Sequence, residues 1–365
     1  MVSKDLLDKL ISAYRDEVES SIIYNLLAEK LRGKRVSRVL KEISSMEARH
    51  ASFWACVLRD FSVDISSFKP RWWRIKFYLL FYRLFGFGLT LKLLERGENE
   101  AIKLYSEIID SGILERGKIE VLKNIIVDEL MHEEEFLDEE SRISEFLDHV
   151  RDSVLGMNDG LVEILSVSTG LVAAYNDPLY VALGGLIVGF AGALSMAIGS
   201  YISVKSQKEV RLSSRYRFLN LVKFVPGAIH GLVSKMFRER GFSDEVSSSI
   251  AREVVEKKIS VKEIIESEKI EDPVKSGIYT GIFYLVGAFI PLTPYFLKLP
   301  INYALVSSII LASIMLGLTG FIIALTAGLN IKRKIIEMIT TGLGAATLTY
   351  IIGYIAKTLL GIEVE

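Results

Sequence analysis

Beyond residue 150 the sequence is dominated by apolar runs, near 153–175, 179–204, 276–297, 303–328 and 335–359. Each is long enough to cross a hydrocarbon core of roughly 30 Å at about 1.5 Å of rise per residue. Such a solvent admits these segments only as helices, because every backbone N–H and C=O must find its partner inside the segment. An all-α membrane domain with five spans is expected. Composition agrees: half of the 365 residues are hydrophobic and mean hydropathy is +0.34, too apolar for a soluble enzyme of this size. Small residues, as in "GGLIVGFAGALSMAIGS", permit close helix approach and a packed bundle or dimer.

The basic residues orient the spans. Lys205, Lys208, Arg211, Arg215, Arg217, Arg238, Arg240, Lys257 and Lys258 fall in a polar stretch at 205–275, and Lys332, Arg333 and Lys334 follow the fourth span. The connections "AYNDP" and "LKLPIN" hold only Lys298. The positive-inside rule then places both basic connections and the amino-terminal half in the cytosol, with the tail "GIEVE" outside. The 205–275 insertion reads as a small helical domain: Ser243 opens "SDEVSSSIAREVVEKK", and Ser260 with Glu263 makes a capping box.

Up to about residue 150 the chain is a series of charged amphipathic helices, so the expected domains are 1–150 and 151–365. The start, "MVSKDLLDKLISAYRDEVESS", mixes charges where a secretion signal needs a continuous apolar core, so no cleaved presequence is expected. A single cysteine, Cys56, excludes an intrachain disulfide, and a net charge of −1 without a basic stripe argues against nucleic acid as a partner.

This half contains a duplicated constellation. Glu17 is followed seven residues later by Tyr24, then by Glu47 and His50; Glu98 is followed seven residues later by Tyr105, then by Glu129 and His132. Separations of three and seven return to one helix face, so each unit offers a carboxylate from one helix and a Glu-x-x-His pair from the next. Facing each other, two units present four carboxylates and two imidazoles, a donor set suited to a di-iron or di-manganese centre in a four-helix bundle. Tyr24 and Tyr105 fit either packing or a catalytic role as hydrogen-bond or electron donors beside the metals. Glu133, Glu134, Glu135, Glu139 and Glu140 read as a solvated face.

At these residues the sequence resembles rubrerythrin and the wider ferritin-like family, over about residues 4–148. The resemblance implies that Glu17 and Glu98 are terminal carboxylates, Glu47 and Glu129 the bridging pair, and His50 and His132 one imidazole per metal. Ala101 stands where rubrerythrins often carry a further acid, and no Cys-x-x-Cys pair is present for a rubredoxin-type iron. The connecting stretch, 62–94, is almost apolar enough for another span. Crossing there would put the two ligand units on opposite sides of the bilayer. It is therefore expected as an interfacial or bundle-covering helix, with Trp72, Trp73, Arg74, Lys76 and Arg83 at headgroup level.

The first span carries Asp159 and Glu163, four apart on one face. Each such acid costs about 2.5 to 3.5 kcal/mol at a bilayer centre, so a cation or proton site is expected there. Met196 adds a soft thioether suited to transition metals, with Met157, Asn158 and Ser195 as weaker candidates. "GMNDGLVE" followed by "AGALSMAIGSYISVKSQKE", with "PLTPY" after the third span, resembles the vacuolar iron transporter family over about residues 150–360. That family comprises five-span dimers that move Fe²⁺ or Mn²⁺ out of the cytosol. The resemblance implies that Asp159 and Met196 are pathway residues and that protons exchange for metal. Val188 stands where the family commonly has an acid, with Glu163 available in its place; Glu209, Glu239, Glu245, Glu253 and Glu256 are a sparse set for its glutamate-rich loop. The arrangement of both halves resembles the membrane-bound ferritin group, implying an exporter with a cytosolic di-iron domain that captures, senses or oxidises iron. A membrane-anchored ferroxidase, or a di-iron hydroxylase acting on a lipid-like substrate, are the alternatives.

Overall fold

The computed structural model describes the backbone of residues 4–360 except 67, 136, 176, 225 and 257–271; the side chains of 130–149, 215, 218, 219, 221, 222 and 360 also lie outside the description. Among the described residues there are eleven helices and no strand. They are α1 (Lys4–Lys30), α2 (Val36–Asp60), α3 (Trp72–Asp110), α4 (Arg116–Glu135), α5 (Leu137–Ala174), α6 (Pro178–Phe224), α7 (Pro226–Glu239), α8 (Asp244–Glu256), α9 (Pro273–Phe296), α10 (Ile301–Thr326) and α11 (Ile331–Leu360). Contacts divide the chain into one unit of residues 1–151 with 317–338, and another of 152–316 with 339–365.

In the first unit, α1 to α4 bury stripes at helical spacing. Leu10, Ala13, Glu17, Tyr24 and Leu27 form the stripe of α1, and Leu40, Ile43, Glu47, His50, Trp54 and Val57 that of α2. Both stripes run from apolar through charged to apolar residues. The apolar parts form two separate cores, one around Ile23, Leu27, Leu40, Ile43, Ile75 and Leu94, the other around Leu10, Trp54, Leu58, Tyr105, Ile108 and Leu122. The helices α1 and α2 are drawn together by reciprocal bonds, Ser21 Oγ to the Ser44 carbonyl at 2.9 Å and Ser44 Oγ to the Ser21 carbonyl at 2.8 Å.

Among the described residues, five helices are long and apolar enough to cross a membrane: α3, α6, α9, α10 and α11. Four match expected spans, whereas α5 is outside this set and α3 is inside it. In α5, Asp159 and Glu163 interrupt the apolar run. In α3 the apolar length serves the bundle: Ile75, Tyr78, Leu91 and Leu94 enter one core, Tyr105 and Ile108 the other, each alongside the charged, amphipathic α1 and α2. That packing holds the buried side of α3 in the bundle, and α3 takes the place of α5 among the five candidates. Within α3, Gly86 takes φ 77°, a left-handed value open to glycine, and marks a kink.

The start of α3 is fixed by a buried charge cluster absent from the expectation above. The Arg71 backbone N–H and Nε donate to Glu19 Oε1 at 2.7 and 2.9 Å, its Nη2 donates to Asp16 at 2.6 Å, and Arg74 Nη1 donates to Glu19 at 3.0 Å and also pairs with Asp16. Arg74 is thereby turned into the bundle and is not a headgroup-level residue.

The second unit is packed backbone to backbone. A Cβ on Gly160 would stand 2.2 Å from the Tyr284 carbonyl oxygen, and one on Gly287 2.2 Å from that of Met157, so α5 and α9 meet where neither side offers a side chain. Ile187, Leu194, Ile314, Leu348 and Ile352 face outward, an apolar surface that a bilayer covers. The helix α6 continues without a break from the apolar run of 179–204 into the polar stretch, as far as Phe224. Behind it α7 and α8 pair through Ile229, Val233, Phe237, Ala251 and Val254. Ser243 Oγ accepts the Val246 N–H at 3.4 Å at the start of α8. The Ser260 and Glu263 capping box lies outside the described residues.

Glu19 is fully buried. Burial alone raises its pKa, but hydrogen bonds from Arg71, the Arg71 charge and a hydrogen bond from Arg74 hold it below the ordinary 4.5. A carboxyl depressed by folding contributes stability that is present above 4.5 and lost as pH falls through the folded value. Glu19→Gln is expected to cost about 2 kcal/mol at neutral pH. Thermal melts of the two proteins should show that gap, narrowing below pH 4.5; equal melting temperatures at neutral pH contradict it.

Candidate metal sites

The charged layer between the two bundle cores brings Glu17, Glu47, His50 and Glu129 together, with one ligand atom from each lying within 4.8 Å of all the others. All four are at most 4% exposed. His50 Nδ1 faces Glu129 Oε1 at 3.1 Å and Glu17 Oε2 at 3.7 Å, while its Nε2 faces Asp128 Oδ2 at 3.3 Å. Asp128 was not among the expected residues; its only signal is adjacency to Glu129 in "DEL". Glu98 lies in the wall of a cavity of about 250 Å³ that it shares with Glu17, Glu47 and Glu129. The side chains of His132, Glu133, Glu134, Glu135, Glu139 and Glu140 lie outside the description.

The tyrosines are crossed between the repeats. Tyr24 of α1 donates to Glu98 of α3, and Tyr105 of α3 donates to Glu17 of α1. Burial, then the neighbouring carboxylates, pushes both phenols well up, so they remain proton donors. Burial also pushes Glu47 well up, reinforced by a hydrogen bond and charge from Glu17. Burial pulls His50 down, but hydrogen bonds to Glu129 and Glu17 outweigh it and push its pKa up to about 10. Carboxylates this close and this dry cannot all ionise unless cations join them. Hard oxygen donors with an imidazole fit a divalent transition metal.

In the second unit one of the two expected acids meets a buried hydroxyl of a neighbouring helix. Glu163 Oε2 accepts from the fully buried Tyr284 hydroxyl of α9 at 2.6 Å. Tyr284 shares a core with Ile164 of α5 and Ala193 of α6, and Met196 packs against that core. Gly192 makes this possible, since a Cβ there would stand 2.1 Å from the Tyr284 hydroxyl. Asp159 and Glu163 are exposed on the single chain, Ser195 is exposed, Asn158 is half-buried and Met157 is buried. One helical turn or more toward the start of α5, Ser276 Oγ donates to Asp152 Oδ2 at 2.6 Å and bonds Ser200 Oγ at 2.7 Å. Asp152, Ser200, Ser276 and Tyr284 were missed by the sequence reading. The signal for Asp152 and Tyr284 lay in helical phase, seven residues before Asp159 and within the small-residue helix "GIYTGIFYLVGAF".

A helical bundle holding a buried carboxylate and imidazole cluster, followed by membrane helices with acids in their seam, defines a metal-handling membrane protein. The chain belongs to the VIT family, whose model matches residues 150–354. Residues 8–140 match the rubrerythrin family model, so the two halves are a fusion of both kinds. Among curated relatives, a vacuolar iron transporter of Acanthamoeba castellanii is 28% identical over 223 residues, covering 58% of this chain and 79% of the relative. Protein CCC1 of Saccharomyces cerevisiae is 26% identical over 211 residues, 53% of this chain and 64% of the relative. Vacuolar iron transporter 1 of Tulipa gesneriana is 23% identical over 210 residues, 56% and 85% respectively.

If the bundle cluster holds metal, anaerobic Fe²⁺ or Mn²⁺ raises the melting temperature of the purified protein, and elemental analysis finds about two ions bound in the bundle. His50→Ala with His132→Ala abolishes both effects without removing membrane insertion. Unchanged metal content in that double variant contradicts the ligand set.

Proposed function

We propose that the chain moves Fe²⁺, and also Mn²⁺, out of the cytosol in exchange for protons, as a homodimer whose cytosolic bundle holds a di-iron centre. The observation that carries this reading is the Glu163–Tyr284 pair beside Asp159 and Met196, set in helices otherwise built for lipid. Two acids exposed on a spanning helix of one chain cannot face hydrocarbon at an acceptable cost. A second copy laid against that face would cover them and line the route between protomers.

In this route Asp159 and Glu163 supply oxygen ligands one turn apart, and Met196 supplies a thioether that favours a transition metal over Na⁺ or K⁺. The Tyr284 hydroxyl orients Glu163 while leaving its second oxygen for cargo. A carboxylate that releases the cation accepts a proton in its place, which is the physical basis of exchange. Asp152, with Ser276 and Ser200, lies one further step toward the side carrying the basic connections and would receive the ion first. By the positive-inside rule that side is the cytosol, with the bundle, and residue 365 lies opposite.

In the bundle, Glu17, Glu47, His50 and Glu129 would hold the metals, with Glu98 and His132 completing the set. Bound iron there supplies redox chemistry toward oxygen. The residues themselves keep the site dry, hold protons on Tyr24 and Tyr105, and supply the charge that draws in cations. The adjoining cavity of about 250 Å³ admits water or a small oxidant and is too small for a lipid-like substrate, which favours capture, sensing or oxidation of iron over hydroxylation.

The test is uptake of Fe²⁺ and Mn²⁺ by proteoliposomes under an imposed pH gradient. Losing one charged ligand costs about 2 kcal/mol or more, so Asp159→Ala should cut uptake by about tenfold or more, while His50→Ala with His132→Ala leaves a transporting protein. Uptake unaffected by Asp159→Ala returns the chain to an anchored ferroxidase.

A further inference from the structure

The first half of α3 leaves one face without a protein partner. Trp73, Phe77, Leu80 and Leu84 are exposed, Trp73 by 69% and Leu84 by 66%. At 3.6 residues per turn they fall within an arc of about 60°. Lys76 and Arg83 are exposed along one edge of that stripe, and neither makes an ion pair among the described residues. The opposite edge carries Phe81, buried with its ring centroid 6.0 Å from that of Phe321 in α10. Farther along α3, Arg96 Nη1 donates to the Leu329 carbonyl at 2.7 Å, in the turn between α10 and α11.

The geometry points to this stripe as a lipid-binding face, immersed in the leaflet from which α10 emerges and held by anionic headgroups at Lys76 and Arg83. The depth is consistent. Phe321 lies five residues before the end of α10 at Thr326, about 8 Å along its axis at 1.5 Å per residue. An interfacial helix buries its apolar face by about 5–10 Å. The turn that Arg96 grips is followed by Lys332, Arg333 and Lys334, cations of the kind that mark a headgroup surface. The stripe thus lies beside the last turns of α10, and the kink at Gly86 separates the lipid-facing half of α3 from the half that reaches the charged layer. This assignment needs only that α10 and α11 span the bilayer and is independent of what the protein transports.

The test uses the full chain in liposomes containing phosphatidylglycerol. In a Cys56→Ser background, spin labels at Leu80→Cys, Leu84→Cys and, as a control on the exposed bundle surface, Lys103→Cys are compared for collision with O₂ and with a water-soluble nickel chelate. Labels at 80 and 84 should meet O₂ readily and the chelate poorly, at a shallow depth, with the reverse at 103. Lys76→Gln with Arg83→Gln should make the 80 label shallower, a difference that disappears in purely zwitterionic lipid. Free access of the chelate at 80 and 84 overturns the proposal, as does a depth at the bilayer centre, or exclusion of both reagents with strong coupling between labels of two copies. Insensitivity of depth to the cation variants overturns the headgroup role.

Discussion

The bundle is organised around one electrostatic constraint: carboxylates and an imidazole occupy the layer where two apolar cores meet. Glu17, Glu47, His50 and Glu129 are as buried as the leucines above and below them. Burying an isolated charge is prohibitive unless it is neutralised or paired. The structure meets this by clustering the acids, seating His50 among them and donating phenols from Tyr24 and Tyr105. Dry walls on both sides leave the charges of this layer little screened. The Asp16, Glu19, Arg71 and Arg74 cluster meets the same constraint within the protein itself, because two guanidinium groups supply the positive charge.

The membrane unit meets a related constraint by different means. Without a hydrophobic drive between helices in lipid, association depends on close fit and polar contacts. Gly160 and Gly287 remove the side chains between α5 and α9, and Gly192 makes room for the Tyr284 ring. That fit brings the Tyr284 hydroxyl to Glu163 and gives one intramembrane acid a fixed donor. Glu163 is thereby anchored one helical turn from Asp159 on the same face of α5.

Much of this was legible in the sequence because it depends on period. Glu17, Glu47, His50 and Glu129 occur in phase with apolar stripes, and their duplication made them conspicuous among only four histidines. Four of the five expected spans declared themselves by length and composition; α5 did not, because Asp159 and Glu163 interrupt its apolar run. What escaped depends on contacts between distant segments. Arg74 looked like a headgroup residue because its neighbours Trp72 and Trp73 are apolar, yet its partners are Asp16 and Glu19 of α1. Asp128 faces His50 only because α4 lies beside α2. Likewise Ser200 and Ser276 are ordinary small residues until α6 and α9 pack and bring their hydroxyls to Asp152. Hydropathy marks only the apolar part of α6, whereas the helix itself goes on through polar residues to Phe224.

The crossed tyrosines bear on ancestry. Each repeat, taken as a lone helical hairpin, would carry a phenol whose acceptor and a carboxylate whose donor belong to the other repeat. A single-copy precursor would therefore have been chemically incomplete until two molecules associated about a twofold axis. Within one polypeptide that dependence is internal, so each hairpin is completed by the other without a second molecule.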